Sequence, residues 1–232
     1  MKNIVICGAS KNLGKFIFHK FSEENNVLGI SRSKVNNKNY FSANLNSFAQ
    51  TKKIFNQIKK KFKKIDAIIF CVGNSKKNYN KSPNSKDFAK SFNYNFYPFV
   101  NLINSYLNIF KKKPVKFIVI SSIAGLVNID APITYSVAKN ALNFYCMFLA
   151  KEFANKKIFL NIISPGNILM ENNNWAKKLK KNPKLVKKYI YKNVPSNNFC
   201  TADEIYKMCN LIVSNKTNFV GSNIVIDGGQ VL

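Results

Sequence analysis

Two short stretches of the chain carry groups that could move a proton. Ser121-Ser122-Ile123-Ala124-Gly125 closes a β-branched run, and Tyr135-Ser136-Val137-Ala138-Lys139 opens an apolar helical stretch. A tyrosine and a lysine four residues apart on a helix share one face, which brings an ammonium close enough to stabilise a phenolate. Tyrosine, with an unperturbed pKa of about 10, becomes an acid–base group at neutral pH only when such a cation lowers it. A lone pair of this kind means little in a chain rich in both residues, but its position counts. Ser122 stands thirteen residues before Tyr135, and Asn161-Ile162-Ile163-Ser164-Pro165-Gly166 closes the next apolar run.

A third stretch, Gly8-Ala9-Ser10-Lys11-Asn12-Leu13-Gly14, follows an apolar strand and opens a helix. Backbone N–H groups and the positive end of the helix dipole there can face a pyrophosphate, which implies a dinucleotide. Cofactor choice turns on the end of the second strand, Gly29-Ile30-Ser31-Arg32-Ser33-Lys34, which holds no acid. NAD sites usually place an acidic residue there to accept hydrogen bonds from the ribose hydroxyls. A 2′-phosphate would instead be met by Arg32, Ser31 or Ser33, with Lys34 and, by analogy, Lys11 in support. Arg32 is the sole arginine of the chain, and its planar fork suits a phosphate. The pattern favours NADP(H) over NAD(H).

These groups need a scaffold, and the sequence alternates short β-like runs with longer helical stretches, the signature of βαβ units and a parallel sheet. Strands are expected at 3–7, 26–30, 39–43, 67–71, 116–121, 159–163 and 223–226. From Tyr135 to Phe153, Ala138, Ala141, Leu142, Tyr145, Phe148 and Leu149 recur at helical spacing as one apolar stripe. No repeat and no Pro/Gly/Ser linker divides the chain, so residues 1–232 are expected to form one domain. An Asn- and Lys-rich insertion at about 167–200, holding the only tryptophan, Trp175, reads as a substrate lid.

Composition narrows the class. With 232 residues, 46% hydrophobic and 20% charged, the chain can build a core and is not disordered. It has no apolar run of the roughly 18–20 residues that a membrane span needs and no signal-peptide pattern, so it reads as cytoplasmic, with no membrane partner. Five scattered cysteines and the single His19 support neither a disulfide framework nor a metal site. The formal charge of +27 invites a nucleic-acid reading, yet 36 of the 37 basic residues are lysine. Nucleic-acid surfaces lean on arginine, so that partner is disfavoured. Drift toward AT-rich codons and attraction to an acidic substrate, carrier or polyanion both remain as causes of the charge.

Taken together, these motifs resemble the short-chain dehydrogenase/reductase family, from Asn3 to Gly229. The resemblance implies a Rossmann-like three-layer α/β/α sandwich with about seven parallel strands in the order 3-2-1-4-5-6-7. It also implies an NADP-dependent dehydrogenase/reductase acting on CH–OH groups. Ser122, Tyr135 and Lys139 fall on the family's catalytic serine, tyrosine and lysine. Asn95, with Asn93 as the alternative register, falls on the asparagine of its proton relay. In the family's TGxxxGxG motif Gly8 and Gly14 match, Cys7 replaces the threonine and Asn12 the middle glycine, so Asn12 either adopts a left-handed conformation or shifts the turn. The family's NNAG element appears as Phe70-Cys71-Val72-Gly73, which keeps only Gly73. Pro165, Gly166 and Ile168 match its nicotinamide contacts, and Asn44-Leu45 its adenine contact. The expected cofactor-binding set is therefore Gly8, Ser10, Lys11, Asn12, Leu13, Gly14, Ser31, Arg32, Ser33, Asn44, Leu45, Cys71, Gly73, Tyr135, Lys139, Pro165, Gly166 and Ile168.

The resemblance further implies a homodimer or homotetramer, with Phe96, Phe99, Phe144, Tyr145 and Phe148 either at the interface or in the core. Eight lysines of the lid surround Trp175, Leu179, Leu185, Val186 and Tyr189. They suit an anionic or carrier-linked substrate, either a 3-oxoacyl thioester of an acyl carrier protein or a keto-sugar of a surface-polysaccharide pathway, unless they are only a solvated face. Two readings of other classes stay open: a cofactor-binding regulator that has lost catalysis, and a lysine-rich polyanion binder.

Overall fold

Near-continuous apolar runs give the inner strands two apolar faces, and the protein buries both. The computed structural model describes residues 1–75, 82–171, 173–214 and 218–232. Its strands are β1 (Asn3–Cys7), β2 (Asn26–Ser31), β3 (Tyr40–Ser42), β4 (Ala67–Phe70), β5 (Val115–Ile120), β6 (Ile158–Pro165) and β7 (Asn223–Ile226). They form one parallel sheet in the order β3-β2-β1-β4-β5-β6-β7. The helices are α1 (Asn12–Ser22), α2 (Phe48–Lys61), α3 (Ser85–Asn95), α4 (Tyr97–Ile109), α5 (Ile133–Phe153), α6 (Asn174–Lys181), α7 (Pro183–Asn193) and α8 (Ala202–Ser214).

On one face of the sheet Ile4, Ile6, Ile69 and Ile118 pack against Ile17 and Phe21 of α1 and Ile205 and Cys209 of α8. On the other, Val5, Ile68, Phe70 and Phe117 meet Phe55 of α2, Leu102 of α4 and Leu142 of α5. The three layers and the strand order are those the family resemblance implies. The order reverses across β1 and β4, and that switch point opens a crevice at the carboxyl ends of the strands.

Strand ends differ from expectation where pairing stops. β3 keeps three residues because it lies at the sheet edge and pairs only with Gly29–Ser31. β6 runs on to Pro165, whose missing N–H is tolerated at the last ladder position beside Ile226. The apolar stripe of α5 divides. Ala138, Leu142 and Leu149 are buried, whereas Phe148 is 63% and Phe144 71% exposed. Phe99, one of the aromatics placed either in the core or at an interface, is core: it is fully buried, edge-on to Phe70 and Phe117 at 5.2 and 6.2 Å. Phe96 and Tyr145 are partly buried beside it. Helical spacing marks the stripe but not which edge of it turns inward, and the polar Lys139 and Asn143 are buried with it.

The 167–200 stretch, of which residue 172 lies outside the described residues, is no plain loop. It folds as α6 and α7 around a small core of Val186, Val194 and Phe199, with Trp175, Leu179 and Tyr189 packed on it. Among the described residues no helix is long and apolar enough to cross a membrane, and no group of His, Cys, Asp and Glu could hold a metal ion. All five cysteines are free.

Because Phe99 joins α4 to the sheet through two ring contacts and to α5 through a third, Phe99→Ala is expected to cost about 3–5 kcal/mol in a denaturant titration. A loss below about 1 kcal/mol would contradict this packing.

Candidate active site

The crevice begins where two glycines let the chain fold back on the sheet. Gly8 has φ +82°, and a Cβ there would lie 2.9 Å from the Cys71 carbonyl oxygen. A Cβ on Gly14 would lie 2.2 Å from the Gly8 carbonyl oxygen. Asn12 stands at φ +46°, so it takes the left-handed conformation that the missing glycine would have taken. The helices α2, α3, α6 and α7 are each capped by a serine or asparagine side chain, but α1 has no side-chain cap and no acid in its first turn. Its leading N–H groups are thus left for an anion.

The crevice encloses about 790 Å³. Its walls include Gly8, Ser10, Lys11, Asn12, Leu13 and Gly14, then Ser31, Arg32, Ser33, Asn44 and Leu45, then Cys71 and Gly73. Among the described residues Lys11, Arg32 and Lys90 line it and no Asp or Glu does. The cradle that a Cβ would fill, the uncapped helix and the one-signed charge fit a phosphorylated dinucleotide. Three details refine the expected set. The Ser31 hydroxyl donates to the Ser33 carbonyl at 2.6 Å, so its single hydrogen holds the loop, leaving Arg32 and Ser33 for a phosphate. Lys34 is not among the walls. The Cys71 thiol is pushed up to about 12 by burial, against the pull of Lys139, and stays neutral.

Sequence reasoning missed most of the wall opposite, naming only Asn93 and for a different role. Lys90, Asn93 and Tyr94 of α3 line the crevice, with the Arg32 guanidinium 5.8 Å from the Tyr94 ring centre. Their spacing, three and four residues apart, puts them on one helical face, a signal that could have grouped them. The two asparagines offered for the relay part here: Asn93 lines the crevice, whereas Asn95 is fully buried.

Past Gly73 and outside the crevice walls, which include none of Ser122, Tyr135 and Lys139, the chemistry-bearing side chains meet. Ser122 follows β5 in extended conformation and caps a short turn, its Oγ accepting from the Ala124 N–H at 3.2 Å. Tyr135 lies in the first turn of α5 and Lys139 one turn on. Lys139 is 3% exposed, its Nζ donates to the Ile120 carbonyl at 3.0 Å, and it lies 5.9 Å from the Tyr135 ring centre. Among the described residues no carboxylate forms an ion pair with it. A Cβ on Gly73 would sit 3.2 Å from both Lys139 Nζ and Asn95 Oδ1, so glycine lets these two groups approach the β4 end.

Burial shapes both ionisable groups. It pulls the Lys139 ammonium down to about 8, opposed by the neighbouring Cys71 and Cys146 thiols. It raises the Tyr135 phenol, and a hydrogen bond with Ser122 works the other way. The expected lowering of Tyr135 by Lys139 is therefore not what the free protein shows: desolvation of the phenolate is the larger effect. Asn95 differs from expectation too. Its Oδ1 accepts from Asn74 N–H at 2.8 Å, and its Nδ2 donates to the carbonyls of Asn74 and Ser91. The side chain ties the loop after β4 to α3 and has no hydrogen to spare for a relay water. Pro165, Gly166 and Ile168 stand at the end of β6, outside the crevice walls. Gly166 N–H donates to Ile226, and the Ile168 carbonyl accepts from Asn173 Nδ2 at 2.6 Å.

Comparison with known proteins agrees with this fold. A family model described as Enoyl-(Acyl carrier protein) reductase matches residues 14–230. The 3-oxoacyl-[acyl-carrier-protein] reductase FabG of Buchnera aphidicola subsp. Baizongia pistaciae is 29% identical, over 100% of this chain and 98% of its own length. The acetoacetyl-CoA reductase of Allochromatium vinosum is 24% identical over 82% of this chain and 75% of its own. Among solved structures, ElxO with NADP bound superposes with a TM-score of 0.88 at 25% identity, covering 100% of this chain and 99% of that one.

An ammonium held near 8, against 10.5 when exposed, opposes folding wherever both states are charged. The penalty is full below pH 8 and lifts between 8 and 10.5, where the folded state sheds its proton first. Lys139→Met is therefore expected to be more stable than the parent at about pH 7 by about 3 kcal/mol, with the gap closing as the pH approaches about 10. Thermal melts across that range check it, and a parent as stable as the variant at neutral pH would contradict it.

Proposed function

The chain belongs to the short-chain dehydrogenase/reductase family, and we propose that it is an NADP(H)-dependent carbonyl reductase with Tyr135 as its general acid and base. Membership makes it an oxidoreductase of carbonyl and alcohol groups. The observation that carries the finer reading is the meeting of Ser122, Tyr135 and a buried, carboxylate-free Lys139 at the carboxyl edge of the sheet.

The bound cofactor supplies a hydride to the carbonyl carbon. Everything else falls to the chain. Tyr135, kept protonated at neutral pH by burial, donates its proton to the substrate oxygen as negative charge grows there. The Ser122 hydroxyl donates a hydrogen bond to the same oxygen and fixes its place. Lys139, charged at neutral pH, stabilises the phenolate left behind and offers its remaining N–H donors to the nicotinamide ribose. Since both amide hydrogens of Asn95 are engaged, they are not donors to a relay water between Lys139 and solvent.

Gly8, Ser10, Lys11, Asn12, Leu13 and Gly14 would hold the pyrophosphate, and Arg32 with Ser33 the 2′-phosphate. Asn44 and Leu45 would meet adenine, Cys71 and Gly73 the adjoining ribose, and Pro165, Gly166 and Ile168 the nicotinamide. The full-length likeness to a 3-oxoacyl reductase supports a 3-oxoacyl thioester on an acidic carrier as substrate, and the lysines of α6 and α7 supply the matching charge. Phe144, Met147 and Phe148, exposed on one side of α5, suit pairing of two copies.

Tyr135→Phe is expected to slow NADPH oxidation by acetoacetyl thioesters by about 10²–10⁴-fold while NADPH affinity holds within about threefold. Parental turnover in a stopped-flow assay would refute Tyr135 as the acid. Arg32→Ala is expected to shrink the preference for NADPH over NADH at least about tenfold. An unchanged ratio of kcat/KM values would remove Arg32 from the site.

A further inference from the structure

One amide joins the lid to the rest of the molecule. Asn167 follows the Pro165-Gly166 turn, and its Oδ1 accepts a hydrogen bond from the Trp175 indole at 3.0 Å. Its Nδ2 donates to the Tyr189 hydroxyl at 3.2 Å and to Gln230 Oε1 at 2.8 Å. An indole only donates, so the amide has one orientation, and both hydrogens of its nitrogen are used. The three partners come from α6, from α7 and from the turn after β7. That turn is itself fixed, since Gln230 Nε2 donates to the Asp227 carbonyl at 2.7 Å and the Asp227 carboxylate accepts from Gly229 and Val231 N–H.

Tyr189 and Gln230 are also walls of a second cleft, of about 820 Å³. Its remaining wall includes 128–131, the loop that leads through Pro132 into α5 and Tyr135. Asn167, not itself a wall residue, thus ties Tyr189 of the lid wall to Gln230 of the C-terminal wall. The lid does not need Asn167 to stay folded, because Trp175 packs on Tyr189 and Phe199 at 4.7 Å each, over a core of its own. What Asn167 fixes is where the folded lid sits.

We propose that Asn167 is a positioning residue that sets the width of the substrate cleft by gathering Trp175, Tyr189 and Gln230 on one amide. What fills the cleft rests on the carbonyl-reductase reading above; the coupling of lid to strand end does not. Asn167→Leu keeps the size and removes all three bonds. It is expected to raise KM for the carbonyl substrate about tenfold or more, with kcat within about threefold and NADPH affinity unchanged. Trp175 is the only tryptophan, so its emission is expected to shift to the red and to become more open to acrylamide quenching. Tyr189→Phe and Gln230→Met, each removing one bond, are expected to give smaller changes in the same direction, and they serve if the leucine variant fails to fold. The emission readout needs no turnover, so a parent that reduces no carbonyl defeats the enzyme reading while the hub is still tested. Parental emission and quenching in all folded variants, or a KM that stays at the parental value, would overturn the proposal.

Discussion

The site is organised around an ammonium buried without a carboxylate to balance it. Lys139 gives one hydrogen to the Ile120 carbonyl and is otherwise surrounded by groups that carry no formal charge at neutral pH. A charge so placed raises the free energy of the folded chain, and the surrounding structure must hold it there. The hold comes from α5, a helix of 21 residues anchored by Leu142, Cys146 and Leu149 in the core. Gly73 leaves the space that the ammonium uses, and Asn95, pinned to residue 74, keeps that loop from closing over it. A cation with donors to spare, beside a protonated phenol, is what a carbonyl oxygen gaining negative charge requires.

Much of this was legible in the sequence because it follows local rules. Strand alternation and the glycines at 8 and 14 fixed the sheet and the crevice, and the spacing of Ser122, Tyr135 and Lys139 placed them at one edge. Asn12 shows how far such reasoning goes: two outcomes were open, and the left-handed one is found. What was not legible depends on tertiary context. Nothing in the sequence of α4 and α5 says that Phe99 faces inward and Phe148 outward. The Ser31 hydroxyl reads as a ligand until the turn that uses it is seen. The direction of the Tyr135 shift depends on how deeply the phenol is buried, which residue spacing does not contain. Asn167, one polar residue in an asparagine-rich stretch, carries no pattern at all.

The large positive charge plays a smaller part than its size suggests. At physiological ionic strength exposed charges are screened over about 8 Å, so the many surface lysines reach the active site weakly, while Lys139, out of solvent, acts at full strength. The crevice draws on a local subset, Lys11, Arg32 and Lys90. Of the lysines of α6 and α7, Lys192 lines the second cleft.

The most direct test is to watch the Lys139 ammonium itself. With lysine Nζ labelled by nitrogen-15, and Lys139→Met supplying the assignment, an NMR titration of the cofactor-free protein is predicted to place Lys139 near 8, well below the ordinary lysine value of about 10.4. A Lys139 resonance that titrates at that ordinary value would show the cation to be solvated or paired, and the account of the site built on it would fail.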